Sequence, residues 1–133
     1  MESGISTHKT AKALLLRWFA ALETGNSENV VALYAINAVL LPTMASGVLR
    51  GHDCLTDYFS WFLKRKPKGR LFEQYAFDNG ATLLHAGLYE FQLADPETGD
   101  VTTVQARFSF VYTKTEDGDW RILHHHSSVF PMA

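Results

Sequence analysis

Residues 117–128 read Asp117-Gly118-Asp119-Trp120-Arg121-Ile122-Leu123-His124-His125-His126-Ser127-Ser128, and their reading decides the fold. Asp117-Gly118 is a hairpin signal, because a two-residue type I′ turn needs positive φ at both central positions and this dipeptide accepts it. The turn predicts that Glu116 faces Asp119 and that segments 101–115 and 120–129 are antiparallel partners. Counting outward with the strand period of two puts Trp120, Ile122, His124 and His126 on one face with Thr113, Val111, Ser109 and Arg107. The other face then carries Phe108, Phe110, Tyr112, Leu123, His125 and Ser127.

Upstream, Asp78-Asn79-Gly80 and the stretch from Asp95 to Asp100 mark two more turns and delimit strands over 70–77 and 82–93. A symmetric 95–100 loop would bring Glu90 beside Arg107 as a cross-strand ion pair. Before Pro67 the period changes from two to 3.6. Ala11, Leu14, Leu15, Trp18, Phe19 and Leu22 form one helical face, with Ser6 or Thr7 as N-cap and Gly25 as the stop. Asn26-Ser27-Glu28 caps a short second helix carrying Val30, Val31, Leu33 and Tyr34, followed by a strand over 38–41 that Pro42 breaks. After a β segment at 48–50, Asp53 caps a third helix with Leu55, Tyr58, Phe59, Phe62 and Leu63 on its stripe.

Helices grouped first and adjacent hairpins afterwards cannot build a parallel βαβ sheet. The expected class is therefore α+β: three N-terminal helices packed on one face of a curved antiparallel sheet. Neither half is long enough to bury its own apolar face, so residues 1–133 are read as one domain. The formal charge of -2 and the confinement of clustered basic residues to Lys64-Arg65-Lys66, Lys68 and Arg70 argue against nucleic acid as a partner. A single cysteine, Cys54, excludes a disulfide framework. No apolar run reaches the ~20 residues of a membrane span, and Met1-Glu2-Ser3-Gly4 lacks a leader pattern, so a cytoplasmic protein with no membrane partner is expected. An aromatic content of 13% points to an aromatic-lined interior or to an interface.

Of the three consecutive histidines, alternation sends His124 and His126 to one face about 7 Å apart. Such a pair can hold zinc or iron, but it needs further ligands. Glu90, the nearest acidic residue, is already assigned to Arg107, so no metal site and no cofactor are expected. Glu90, Arg107, His124 and His126 are read instead as a polar or interface cluster. His125 shares its face with aromatic residues, where burial would depress its pKa toward that of a useful base, and it is the one catalytic candidate. Trp18, Tyr58, Tyr89, Phe108, Phe110, Tyr112, His125 and Ser127 are the expected lining of a ligand pocket. Cys54 sits in the first turn of a helix with no histidine partner arguable from spacing, and Asp57 falls on a solvated face.

The tail from Asp117 to Ser128, followed by Pro131, resembles the D-G-x-W-x-(I/V)-x-H-x-H-x-S signature of the calcium/calmodulin-dependent protein kinase II association domain. Gly51-His52-Asp53 leading into Tyr58-Phe59 looks like that domain's G-x-D…Y-F helix, and the similarity runs from Thr7 to Pro131. The triple histidine with Ser127-Ser128 is closer to free-standing bacterial relatives than to the kinase hub. The resemblance implies a nuclear transport factor 2-like, cystatin-like cone: a bent sheet wrapped on a long helix, with a pocket open at one end. It also implies self-assembly into dimers or larger oligomers. It does not imply phosphoryl transfer, since no glycine-rich loop, Val-Ala-Ile-Lys strand or His-Arg-Asp loop is present. The hub's pocket is lined by a histidine and three arginines; the corresponding positions here are Leu55, Gly87, Phe110 and Ser127, a lining unsuited to small carboxylates.

Ketosteroid isomerases and polyketide cyclases share the cone, and Tyr34, Tyr58, Tyr89 and Tyr112 are candidate oxyanion donors of that kind. Such enzymes also need a pocket carboxylate, and Asp53 and Asp57 are both otherwise explained. The preferred expectation is an oligomerising domain that binds an unidentified small molecule without catalysis of its own. The alternatives are an isomerase, cyclase or dehydratase acting on a small hydrophobic substrate with a polar head through His125 and a tyrosine, and a purely structural hub.

Overall fold

The computed structural model describes residues 4–131; Met1, Glu2 and Ser3 of the leader reading lie outside the described residues. Helix α1 spans Gly4–Glu23, α2 Ser27–Val31 and α3 Gly51–Phe62, with a 3-10 turn at Leu63–Arg65. The strands are β1 Tyr34–Leu41, β2 Leu49–Arg50, β3 Lys68–Asp78, β4 Thr82–Ala94, β5 Val101–Lys114 and β6 Trp120–Val129. They form one six-stranded sheet in the order β2-β1-β6-β5-β4-β3. Strands β3 to β6 are the expected antiparallel meander, and the joint between β1 and β6 is parallel. Helices cover one face of this curved sheet, which makes the class α+β.

The apolar stripe of α1 faces inward as its spacing requires: Ala11, Leu15, Trp18, Phe19 and Leu22 are all buried. Arg17, on the flank of the same helix, donates to the Asp119 carboxylate and to the Trp120 carbonyl, tying α1 to the last hairpin. Asp119 is held down at a pKa of about 2, chiefly by the Arg121 guanidinium and then by the Trp120 backbone N–H.

Several local expectations are corrected by tertiary pairing. Ser6 and Thr7 lie inside α1 rather than capping it, and Thr10 returns its hydroxyl to the Ser6 carbonyl, a back-bond tolerated within helices. Asn26 caps α2 through its side chain as expected, but Tyr34 opens β1 instead of closing a helix. The cause is β6: the Ile122 N–H donates to the Leu33 carbonyl at 2.9 Å and draws the chain into the sheet. Asp53 is not the cap of α3. Arg50 holds that position and Gly51 turns the chain at φ 81°, while Asp53 sits in the first turn, where its charge suits the positive helix end. The 95–100 loop is symmetric, with Ala94 facing Val101, but that register sets Glu90 opposite Gln105 and Arg107 opposite Leu88, two positions away, and the expected Glu90–Arg107 ion pair does not form.

The final hairpin differs in a way that cancels itself. Its loop is Glu116-Asp117-Gly118, closed by Thr115 N–H on the Asp119 carbonyl at 2.7 Å, with only Gly118 at positive φ (87°). This three-residue geometry shifts the first pairs to Lys114↔Trp120 and Tyr112↔Ile122. Leu123 is then an extra residue opposite no partner, and beyond that bulge Val111 meets His124 and Phe110 meets His125. Ile122 is therefore inside, against expectation, while His125 and Ser127 are inside as expected and His126 is exposed.

Gly87 is fixed by a close approach. A Cβ there would lie 1.9 Å from the Glu73 carbonyl oxygen, beside the bulge in β3. No longer side chain fits at this position.

Candidate functional site

The inner sheet face converges on His125, which is buried in β6 with its ring stacked on Phe110, centroids 4.0 Å apart. Trp18 from α1 meets the imidazole edge-on at 5.1 Å and stacks on Tyr89 at 6.1 Å. Three strands and one helix thus supply the site. A fourth strand, β1, brings Tyr34 to it, and its entry is pinned by His52: the ring Nε2–H donates to the Tyr34 carbonyl at 2.8 Å. The Gly51-His52-Asp53 motif therefore acts on the site through the backbone of β1.

Polar atoms here form one chain whose direction follows from proton supply. Tyr89 has one hydroxyl proton and donates it to Ser127 Oγ at 2.7 Å. It must then accept from His125 Nε2–H, 3.1 Å away. This leaves Nδ1 as an acceptor, and Tyr34 O–H donates to it across 2.9 Å. The Tyr34 oxygen in turn accepts Trp18 Nε1–H at 3.1 Å. At the far end Ser127 and Thr43 share a short hydroxyl–hydroxyl hydrogen bond.

The imidazole is accordingly neutral. Burial pushes its pKa well below the ordinary histidine value, and the neighbouring His124 and His126 add to the effect. Burial likewise raises the Tyr34, Tyr58 and Tyr89 phenols far above their usual range, so all three are proton donors at neutral pH.

A cavity opens at the Thr43 end of this chain. His125, Ser127, Tyr89, Thr43 and Trp18 form its polar side, and Leu40, Phe59, Phe91 and Leu93 are among its apolar walls. Met44, on the loop between β1 and β2, and Tyr58 complete it. Measured at the centres of water-sized molecules its volume is about 20 Å³, room for one water. No Asp, Glu, Lys or Arg among the described residues lines it.

Of the residues singled out from sequence, Trp18, Tyr58, Tyr89, His125 and Ser127 meet at this cavity. Phe108, Phe110 and Tyr112 share the inner face but pack behind the wall: Phe108 stacks on Tyr89 at 4.6 Å and Phe110 on His125 and Tyr112. The Tyr112 hydroxyl is buried without a hydrogen bond among the described residues. His124, His126, Glu90 and Arg107 lie on the opposite face, away from the cavity. Asp57 is exposed, and Cys54 is half-buried in a shallow surface groove with Trp61 and Leu49. Among the described residues no cluster of three or more His, Cys, Asp or Glu is placed to hold a metal ion. Nor is any helix among them long and apolar enough to cross a membrane.

Sequence reasoning missed Thr43 and Met44 altogether. Both follow the strand-breaking Pro42, and nothing local marks them, because their role arises from where the loop lands. Tyr34 was legible as a hydroxyl donor but not as a strand residue.

Comparison with known proteins adds independent findings. The family model described as calcium/calmodulin dependent protein kinase II association domain matches residues 8–131. A Xanthomonas campestris protein assigned to that domain has a solved structure with 40% sequence identity and a TM-score of 0.88, covering 93% of this chain and 88% of its own. A Streptomyces avermitilis protein of the NTF2-like family, assigned as a dehydratase, superposes with a TM-score of 0.83 at 15% identity, over 98% of this chain and all of its own. A ketosteroid isomerase-like protein from Erwinia carotovora atroseptica gives 0.75 at 17% identity, over 91% and 94% of the two chains. The last two likenesses concern the cystatin-like, NTF2-like fold. No curated protein matches the chain.

Proposed function

Since the chain belongs to the calcium/calmodulin dependent protein kinase II association domain family, we propose that it is a self-assembling domain that keeps a small-molecule pocket and has no phosphoryl-transfer activity of its own. The observation that carries the pocket is the neutral hydroxyl–imidazole chain ending in an apolar cavity, the usual composition of a ligand site: hydrocarbon walls with a few convergent polar groups. Family membership supports self-assembly, and so does the outer sheet face. There Phe77, Leu84, Val111, His124 and Val39 stand in one cross-strand row, with Phe77 67% and Leu84 38% exposed. No helix layer covers this row, and an apolar sheet face in that condition favours a second copy.

Binding is preferred to catalysis because both His125 nitrogens are engaged and no carboxylate lines the cavity, which leaves neither a free base nor an acid to complete proton transfer. Light scattering tests the assembly reading: a mass of at least a dimer is expected at micromolar concentration, and Phe77→Asp should lower it while the circular dichroism spectrum is kept. A monomeric wild-type mass would sink it. Incubation with labelled ATP and a generic protein substrate should give no transfer above a no-protein control.

A further inference from the structure

Counting protons along the buried chain says more about what the cavity takes. Trp18 Nε1, Tyr34, His125 Nε2, Tyr89, Ser127 and Thr43 each bring one hydrogen, six in all. The chain contains five hydrogen bonds: Trp18 to Tyr34, Tyr34 to His125, His125 to Tyr89, Tyr89 to Ser127, and the one between Ser127 and Thr43. One hydrogen is left over. Its place does not depend on which hydroxyl donates in the last bond. If Ser127 donates, the surplus proton is on Thr43; if Thr43 donates, it is on Ser127.

Both hydroxyls line the cavity, and neither makes another hydrogen bond among the described residues. A partly buried O–H facing hydrocarbon wants an acceptor. Reversal of the chain would not absorb it, because the indole N–H at the other end only donates. The surplus hydrogen would move to the Tyr34 hydroxyl, which is buried with no further acceptor among the described residues, so it stays at the cavity end. Nor can it recruit a charge, since no Asp, Glu, Lys or Arg lines the space and the imidazole is neutral.

We infer that the cavity selects a small neutral ligand presenting one acceptor oxygen, of ketone, aldehyde or ether type, bound by the surplus hydroxyl proton at Thr43 and Ser127 with its apolar body against Leu40, Phe59 and Phe91. This rests on the pocket reading above and names its ligand class. A carboxylate would have one donor for two charged oxygens and no cation to offset desolvation. A hydrocarbon would leave the proton unpaired. Because the space holds about one water, admission of the ligand displaces Met44, which is 37% exposed on the loop and is not tied into the sheet.

The test uses the whole chain and three probes of nearly equal shape: acetophenone, α-methylstyrene, in which C=CH₂ replaces C=O, and benzoate. Titrations are followed by NMR at the Thr43 and Met44 methyl groups. Acetophenone should give saturable shifts at both. The styrene should bind about tenfold more weakly, the worth of one net hydrogen bond, and benzoate more weakly still. Equal affinity for acetophenone and the styrene, or tightest binding of benzoate, overturns the ligand class and leaves the pocket standing. Absence of saturable shifts with all three overturns the pocket reading as well.

Discussion

Tyr34 O–H donates to His125 Nδ1 across 2.9 Å, a bond between strands separated by 91 positions that fixes the tautomer of the buried imidazole. Because Nδ1 accepts, Nε2 donates to Tyr89, whose own proton goes to Ser127, and only the Ser127–Thr43 bond can run either way.

Tyr34→Phe removes that donor and leaves Nδ1 buried and unpaired, at a cost of about 1 to 3 kcal/mol. Urea unfolding should show a lower midpoint with unchanged slope. Nitrogen-15 NMR should show a predominantly Nε2–H imidazole in the wild type and a mixed tautomer in the variant. A mixed tautomer in the wild type would mean that the chain does not run in this direction.

His125→Ala and His124→Ala should separate. The first opens a buried cavity and leaves the Tyr34 hydroxyl proton without its acceptor, and should cost about 3 kcal/mol of stability together with ligand binding. His124 stands on the outer row with Phe77 and Leu84, so its loss should weaken self-association and spare the fold. Unfolding and sedimentation measured on both variants check this, and the reverse pattern would exchange the two faces.

Two buried histidines set the acid response. His85, pushed down to about 4 first by burial and then by His8, and His125, held well below its ordinary value by burial, are both neutral when folded and free to protonate when unfolded. The unfolded chain thus binds more protons below about pH 6.5, and stability falls as pH drops through that value. Each imidazole contributes a slope of up to about 1.4 kcal/mol per pH unit. Stability should be flat above pH 7 and decline between 6.5 and 4. His125→Asn should flatten part of that decline, and an unchanged slope would count against the buried neutral imidazole.

Gly87→Ala should be among the most damaging single-methyl additions in the sheet, because its Cβ would meet the Glu73 carbonyl at 1.9 Å and only a backbone shift relieves the clash. A loss of at least about 2 kcal/mol is expected by thermal or urea unfolding. A neutral effect would mean that the β3 bulge moves freely.

Sequence alone determined the parts governed by local period and turn chemistry. The apolar stripe of α1, the stripe of α3 through Leu55, Phe59 and Phe62, the four-strand meander and the inward position of Phe108, Phe110, His125 and Ser127 were all legible, because alternation and 3.6-residue spacing act within a few residues. Tertiary structure decided the rest. Whether the last turn held two residues or three could not be read from Asp117-Gly118, and the inward His125 survived only because the Leu123 bulge restored the register. Tyr34 joined the sheet through a parallel partner 88 positions further along, Ile122. Thr43 and Met44 reached the cavity by the landing of a loop. In each case the deciding energy is a hydrogen bond or packing contact between residues distant in the chain, and the local spacing of side chains carries no record of it.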